Sequence, residues 1–179
     1  HLRHIDADLA KRVADGLGLE ALPPAPPTTV KPQDMPPSPA LQIIGKMKPT
    51  LEGRCVGILV DTGSDAQAVH GLRKAAESAG ATVKLVAPKI GGAVLSDGKR
   101  VAADGQLAGT PSVVFDAIAV VLTASAAAAC VQEAAAVEFV RQAYGHLKAI
   151  AMDAGAQALV QAAGVVPDAG VLAVHDTAA

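Results

Sequence analysis

Aromatic residues are nearly absent from this 179-residue chain: it has no Trp, one Tyr and two Phe. Half of it is nevertheless apolar, so any core must be built from Ala, Val, Leu and Ile, whose small side chains let helices and sheet approach closely. Cysteine is scarce too. Cys55, in an apolar run, and Cys130, in an Ala-rich stretch, exclude a disulfide scaffold and suit a reducing compartment, so a cytoplasmic location is expected. No basic excess exists: the net charge of -2 argues against nucleic acid, which demands a concentrated cationic surface. No apolar run reaches the roughly 20 residues that span a bilayer, so no membrane partner is expected. Neither GxGxxG nor a P-loop occurs, which removes the usual phosphate cradles. The five histidines lack metal-ligand spacing; His1 and His4 share at most one face of a frayed helix end. The sequence opens at His1, as if inside a helix, and reads as a fragment whose targeting signals would lie upstream.

What is present falls into three zones, 1–20, 21–52 and 53–179. The first reads as a helix over residues 2–19, with Ile5, Leu9, Val13 and Leu17 on one face and Asp6 and Asp8 near its start. Gly16 and Gly18 break it, and alone it has nothing to bury that stripe against. Between Leu22 and Pro49 fall nine of the twelve prolines, which describe an extended connector rather than a folded unit. The apolar patch Leu41-Gln42-Ile43-Ile44 offers its end an anchor.

From Gly53 onward, strands and helices alternate. Cys55 to Val60 is a continuous apolar run, as expected of a strand covered on both faces. Ser64 and Gln67 form a capping box for a helix with Val69, Leu72, Ala76 and Ala79 as its buried stripe. Thr82 to Ala87 is a second strand, and Asp97-Gly98 between short apolar runs is a hairpin signal. Ala117–Leu122, Lys148–Met152 and Val171–Val174 read as further strands. Ala126–His146 reads as one or two helices, with mixed burial at Val137, Val140, Arg141 and Tyr144, and Ala156–Ala163 as another helix. This alternation predicts an α/β fold: a flavodoxin-like, doubly wound parallel sheet with helices on both faces and a small hairpin excursion.

In such a sheet the functional crevice lies beyond the carboxyl ends of the strands. Asp61 and Asp65 follow the first strand, and Asp153 follows the fourth. Met152-Asp153-Ala154-Gly155 has the frame of a nucleophile elbow, an apolar strand and a sharp turn opening a helix, but with Asp153 where Ser or Cys would stand. An aspartate nucleophile needs a base; His146 precedes the strand and belongs at the opposite end, leaving His175. The simpler reading is that Asp153 caps the next helix. Likewise, a divalent cation shared by the three acids competes with helix capping in the first loop. Cys55 and Cys130 have no electropositive setting that would activate a thiol.

Taken in order, these pieces resemble the C-terminal segment of a large-subunit heme catalase. Ile5 to Gly18 resembles the last helix of the catalase core, the stretch through Pro36-Pro37-Ser38-Pro39-Ala40-Leu41 its connector, and Gly57-Ile58-Leu59-Val60-Asp61 with the Asp97-Gly98 hairpin its flavodoxin-like appendage. That appendage is in turn similar to the ThiJ/PfpI, or class I glutamine amidotransferase-like, superfamily. The resemblance implies that an active elbow would carry Cys and His where this chain has Asp153 and Ala154, and an acid at the position of Asp61 or Asp65. The site is then vestigial (Asp153, Ala154, Gly155; Asp61, Asp65), with no catalytic, cofactor or metal ligand in this segment. Heme and peroxide chemistry belong to the upstream core of the parent, and Tyr144 lies in the appended domain. The implied partners are that core and the neighbouring subunits of a homotetramer. The implied role is a non-catalytic one, stabilising the assembly and shaping substrate access. The alternatives are a holdase-like module, and a hydrolase with an altered elbow at Asp153.

Overall fold

The computed structural model describes residues 1–31, 33, 36, 38–41, 46 and 49–174. Gln42, Ile43 and Ile44 of the apolar patch, and His175, lie outside them. The chain divides into two units, His1–Lys48 and Pro49–Ala179, which are taken separately.

In the first unit a 3-10 turn, Leu2–His4, precedes helix α1, Ala7–Gly16. The expected single helix over 2–19 is shorter because Asp6 intervenes. Its backbone is extended and its carboxylate accepts from the amide of Leu9, so it is the N-cap. The stripe Ile5, Leu9, Val13 and Leu17 is exposed; the buried positions of α1 are Ala10 and Ala14. The Pro-rich segment runs back beside the helix, with Arg3 donating to the Pro23 carbonyl at 2.9 Å and His4 hydrogen-bonded to that of Pro26 at 2.7 Å.

The second unit is the α/β fold. In chain order it has β1 (Cys55–Val60), α2 (Ala66–Ser78), β2 (Thr82–Ala87), the antiparallel pair β3 (Ala93–Val94) and β4 (Arg100–Val101), and β5 (Gly105–Gln106). There follow β6 (Ala117–Val121), α3 (Ala124–Cys130), α4 (Ala134–Gly145), β7 (Ala149–Met152), α5 (Gln157–Ala162) and β8 (Val171–Ala173). Six strands form one sheet in the order β5-β2-β1-β6-β7-β8, and every described pairing in it is parallel. The chain leaves β1 toward β2 and later returns on its other side at β6, so the switch point lies between β1 and β6.

Alternation along the strands assigns the two faces. Leu59, Val86, Ile118, Val120 and Ile150 pack under α3, α4 and α5 around Phe115 and Phe139, whose rings meet edge to face at 6.1 Å. Ile58, Val60, Leu85 and Val121 pack under Val69 of α2 and under Ala93 and Leu95 of the hairpin. Helices thus cover both faces, three on one side and α2 on the other. The edge strand β5 escapes sequence reading because two residues carry no periodicity. Asp104 specifies it, its carboxylate accepting from the Leu85 amide and its own amide donating to the Leu85 carbonyl.

One expected detail is corrected. Ser64 does not cap α2: Asp65 does, accepting from the Ala68 amide. Ser64 is fully buried just before the helix, because its hydroxyl is drawn to the sheet instead. The stripe of α2 also fades along its length: Val69 is buried, Leu72 and Ala76 are half-buried, and Ala79 at the C-cap is exposed.

Candidate functional site

The loops after β1, β6 and β7 meet at the carboxyl end of the sheet, around the switch point. After β1, the Asp61 amide donates to the Ser64 hydroxyl at 2.9 Å, and the Ser64 amide donates to the Asp61 carbonyl at 3.0 Å. The Ser64 hydroxyl in turn donates to the Val121 carbonyl at the end of β6. The Asp61 carboxylate accepts from the Thr62 amide, closing a tight local turn. After β6, Thr123 caps α3 by accepting from the Ala126 amide.

After β7, Asp153 has ordinary extended backbone (φ -84°, ψ 170°), and its carboxylate accepts from the Ala156 amide at 2.9 Å. It therefore caps the 3-10 turn Ala154–Ala156 that leads into α5. Gly155 is required by close packing rather than by chemistry. A Cβ there would stand 1.9 Å from the Leu122 carbonyl oxygen, so this turn is pressed against the end of β6. Burial pushes the Asp153 carboxyl above the usual Asp range; the amides of Leu122, Ala156 and Gly155 pull the other way, and the charge of Asp65 adds to the rise.

The structure thus brings the loops of Asp61, Asp65 and Asp153 to one end of the sheet, with each carboxylate accepting from a nearby backbone amide. Among the described residues no group of three or more His, Cys, Asp or Glu side chains lies close enough to share a metal ion. His146 is exposed at the C-cap of α4, before β7 begins, so it stands at the opposite end of the sheet from Asp153. Cys130 ends α3, buried, and its thiol is pushed up to about 11, chiefly by burial and further by the charges of Asp61 and Glu133. Cys55 begins β1, half-buried; burial raises its thiol too, although Lys84 pulls it down. Tyr144 is half-buried against the core on α4. Sequence reasoning missed the bridging role of Ser64, whose only sequence signal, a Ser followed by Asp ahead of a helix, fits a cap equally well.

A six-stranded parallel sheet wound to both sides of β1, with a hairpin excursion after β2 and Asp153 in the turn between β7 and α5, defines a flavodoxin-like α/β domain. Solved structures agree on the fold. A ThiJ/PfpI domain protein from Brachyspira murdochii superposes with TM-score 0.57 at 16% identity, over 65% of this chain and 67% of its own. A two-domain protein from Anabaena variabilis, containing DJ-1/ThiJ/PfpI-like and ferritin-like domains, superposes with TM-score 0.55 at 18% identity, over 64% of this chain and 34% of its own. The family described as the C-terminal domain found in long catalases matches residues 52–179, and the chain belongs to it. Among curated relatives, Catalase C of Rhizobium meliloti is 40% identical across 99% of this chain and 26% of its own length. Catalase HPII of Pseudomonas aeruginosa is 35% identical across 96% of this chain and 24% of its own length. The chain therefore spans about a quarter of the length of these relatives. Among the described residues no helix is long and apolar enough to cross a membrane.

Proposed function

We propose that this chain is the non-catalytic accessory segment of a large-subunit catalase. In this reading residues 1–20 end the core's helical region, 21–52 are the connector and 53–179 the appended domain. The parent disproportionates hydrogen peroxide, and the domain stabilises its tetramer and shapes access to it. The observation that carries the reading is Asp153. At the position where the resembled superfamily holds a thiol, its carboxylate is half-buried and engaged as a cap. Cys130, the thiol that ends α3, is buried and protonated at neutral pH. Support for the parent comes from the family match and from the two catalase relatives.

Heme belongs to the parent's core in this reading. Tyr144, the sole Tyr of the segment, is half-buried against the core of the appended domain. Stabilisation by such a domain comes from apolar surface removed from water, worth about 25 cal/mol per Å² before the entropy of docking is subtracted. The test is the heat-inactivation half-life of the parent with and without residues Gly53–Ala179. A much shorter half-life at unchanged initial activity is expected, and an unchanged half-life overturns the stabilising role. A shift in the apparent rate constant for dilute peroxide on the same deletion tests the access role.

A further inference from the structure

The two faces of the sheet are unequally covered. Beyond α2, the described residues of this unit leave the face that this helix packs on uncovered over β6, β7 and β8, although parallel sheets are normally buried on both sides. Register sets Ala117 beside Ala149 and Ala119 beside Ala151; Ala119 is already buried under α2, so the open part is floored by the methyl groups of Ala117, Ala149 and Ala151. Leu72 and Ala76 of α2 wall one side and Leu172 of β8 the other, enclosing a groove of about 310 Å³ whose lining carries no polar or charged side chain. Leu172 is 58% exposed, and Ala149 is exposed as well.

Dimensions and chemistry select the occupant. Strands lie about 4.8 Å apart and packed helices 8–10 Å, so a helix beside α2 would run two strands further on, over β6 and β7. A strand cannot add to a face whose backbone groups are already paired within the sheet. A small polar ligand would find no hydrogen-bonding side chain here to orient it. The Ala floor admits a helix at close range, and large aliphatic side chains would fill the space between the walls. The relatives are about four times as long as this chain, so a parent of that length holds ample sequence beyond it.

We propose that the trough between α2 and Leu172 seats one amphipathic helix, its aliphatic stripe facing the Ala floor, supplied by the part of the parent catalase outside residues 1–179. This rests on the accessory reading above and names the face of the domain that the rest of the parent covers.

The test uses the full-length parent with the photo-crosslinker p-benzoylphenylalanine replacing Leu172, and separately replacing Leu147, which is 89% exposed at the amino end of β7. A crosslink from position 172, but not from 147, to a peptide outside residues 1–179 is expected. Adding Ala149→Glu, a change at an exposed position, should lower that yield about tenfold, because the docked helix would bury an unpaired carboxylate. Crosslinks only to residues 49–179 of a second copy would mean self-association and overturn the proposal. Crosslinks only to residues 1–48, or no crosslink in a fully active enzyme, overturn it as well. A missing crosslink with a half-life still shortened by deletion sinks this face while the accessory role stands. A crosslink with an unchanged half-life does the reverse.

Discussion

The hydroxyl of Ser64 bridges two strands that are 57 residues apart in sequence, donating to the Val121 carbonyl at the end of β6 while accepting from the Asp61 amide after β1. Its side chain has no exposure to water. Replacement by Ala leaves a buried carbonyl and a partly buried amide without partners. Ser64→Ala should therefore cost about 1–3 kcal/mol, read as a lower urea midpoint with an unchanged slope.

Gly57 and Phe115 are fitted to each other. A Cβ on Gly57 would lie 2.5 Å from Cδ2 and 2.7 Å from Cε2 of the Phe115 ring. The ring cannot easily retreat, being buried and set edge-on to Phe139. Gly57→Ala is expected to destabilise by about 1–3 kcal/mol through overpacking. Phe115→Leu should offset part of that loss, so a double-mutant cycle in urea should give a clear favourable coupling, whereas simple additivity would show the contact to be unimportant.

Asp153 ties local structure to pH dependence. Burial raises its folded-state pKa, so the native state holds that proton more tightly than the unfolded chain. Its contribution to stability is full below the ordinary Asp range and is lost as pH rises through the folded value. Asp153→Asn retains a capping oxygen and removes this loss. The stability of the variant relative to wild type should therefore grow between about pH 3 and about pH 7, as read by urea melts across that range. Asp153→Ala should cost about 0.5–2 kcal/mol at acid pH for loss of the cap, and that cost should shrink as pH rises because Ala also removes the titrating group. In the parent, neither variant should alter peroxide turnover; a loss of turnover at equal folding would restore a catalytic role to Asp153.

The two thiols should separate cleanly by reactivity. With Cys130 pushed up to about 11 and buried, native protein at mildly alkaline pH should be alkylated slowly at Cys55 and not at Cys130. Denaturant should release the second thiol at the rate of an ordinary Cys. Mass-mapped iodoacetamide labelling checks this, and fast native labelling of Cys130 would contradict the burial seen here.

Much of this was legible because it is local. The run Cys55–Val60 is apolar at every position, as expected of a strand covered on both faces, and it is β1 to the residue. Asp97-Gly98 marked the β3–β4 hairpin through turn chemistry alone. The capping Asp153 also followed from a short polar side chain placed ahead of a helix. Where the reading missed, the deciding partner was distant. Ser64 and Asp65 are both competent caps. Asp65 takes that role because the Val121 carbonyl claims the Ser64 hydroxyl. In α1, a regular four-residue repeat put Ile5, Leu9, Val13 and Leu17 on one face, yet Ala10 and Ala14 are the buried positions.

By itself the sequence determined the class of architecture, since the periods of two and near four along the chain dictate which segments are strands and helices, and their alternation imposes a parallel sheet. It also determined that the turn after β7 carries a carboxylate and no thiol. Only the tertiary structure decided which donors and acceptors meet and which apolar surface stays uncovered. Those outcomes depend on strand order and register, which place Ala117 beside Ala149 and Ser64 beneath Val121, and no local pattern encodes contacts between segments tens of residues apart.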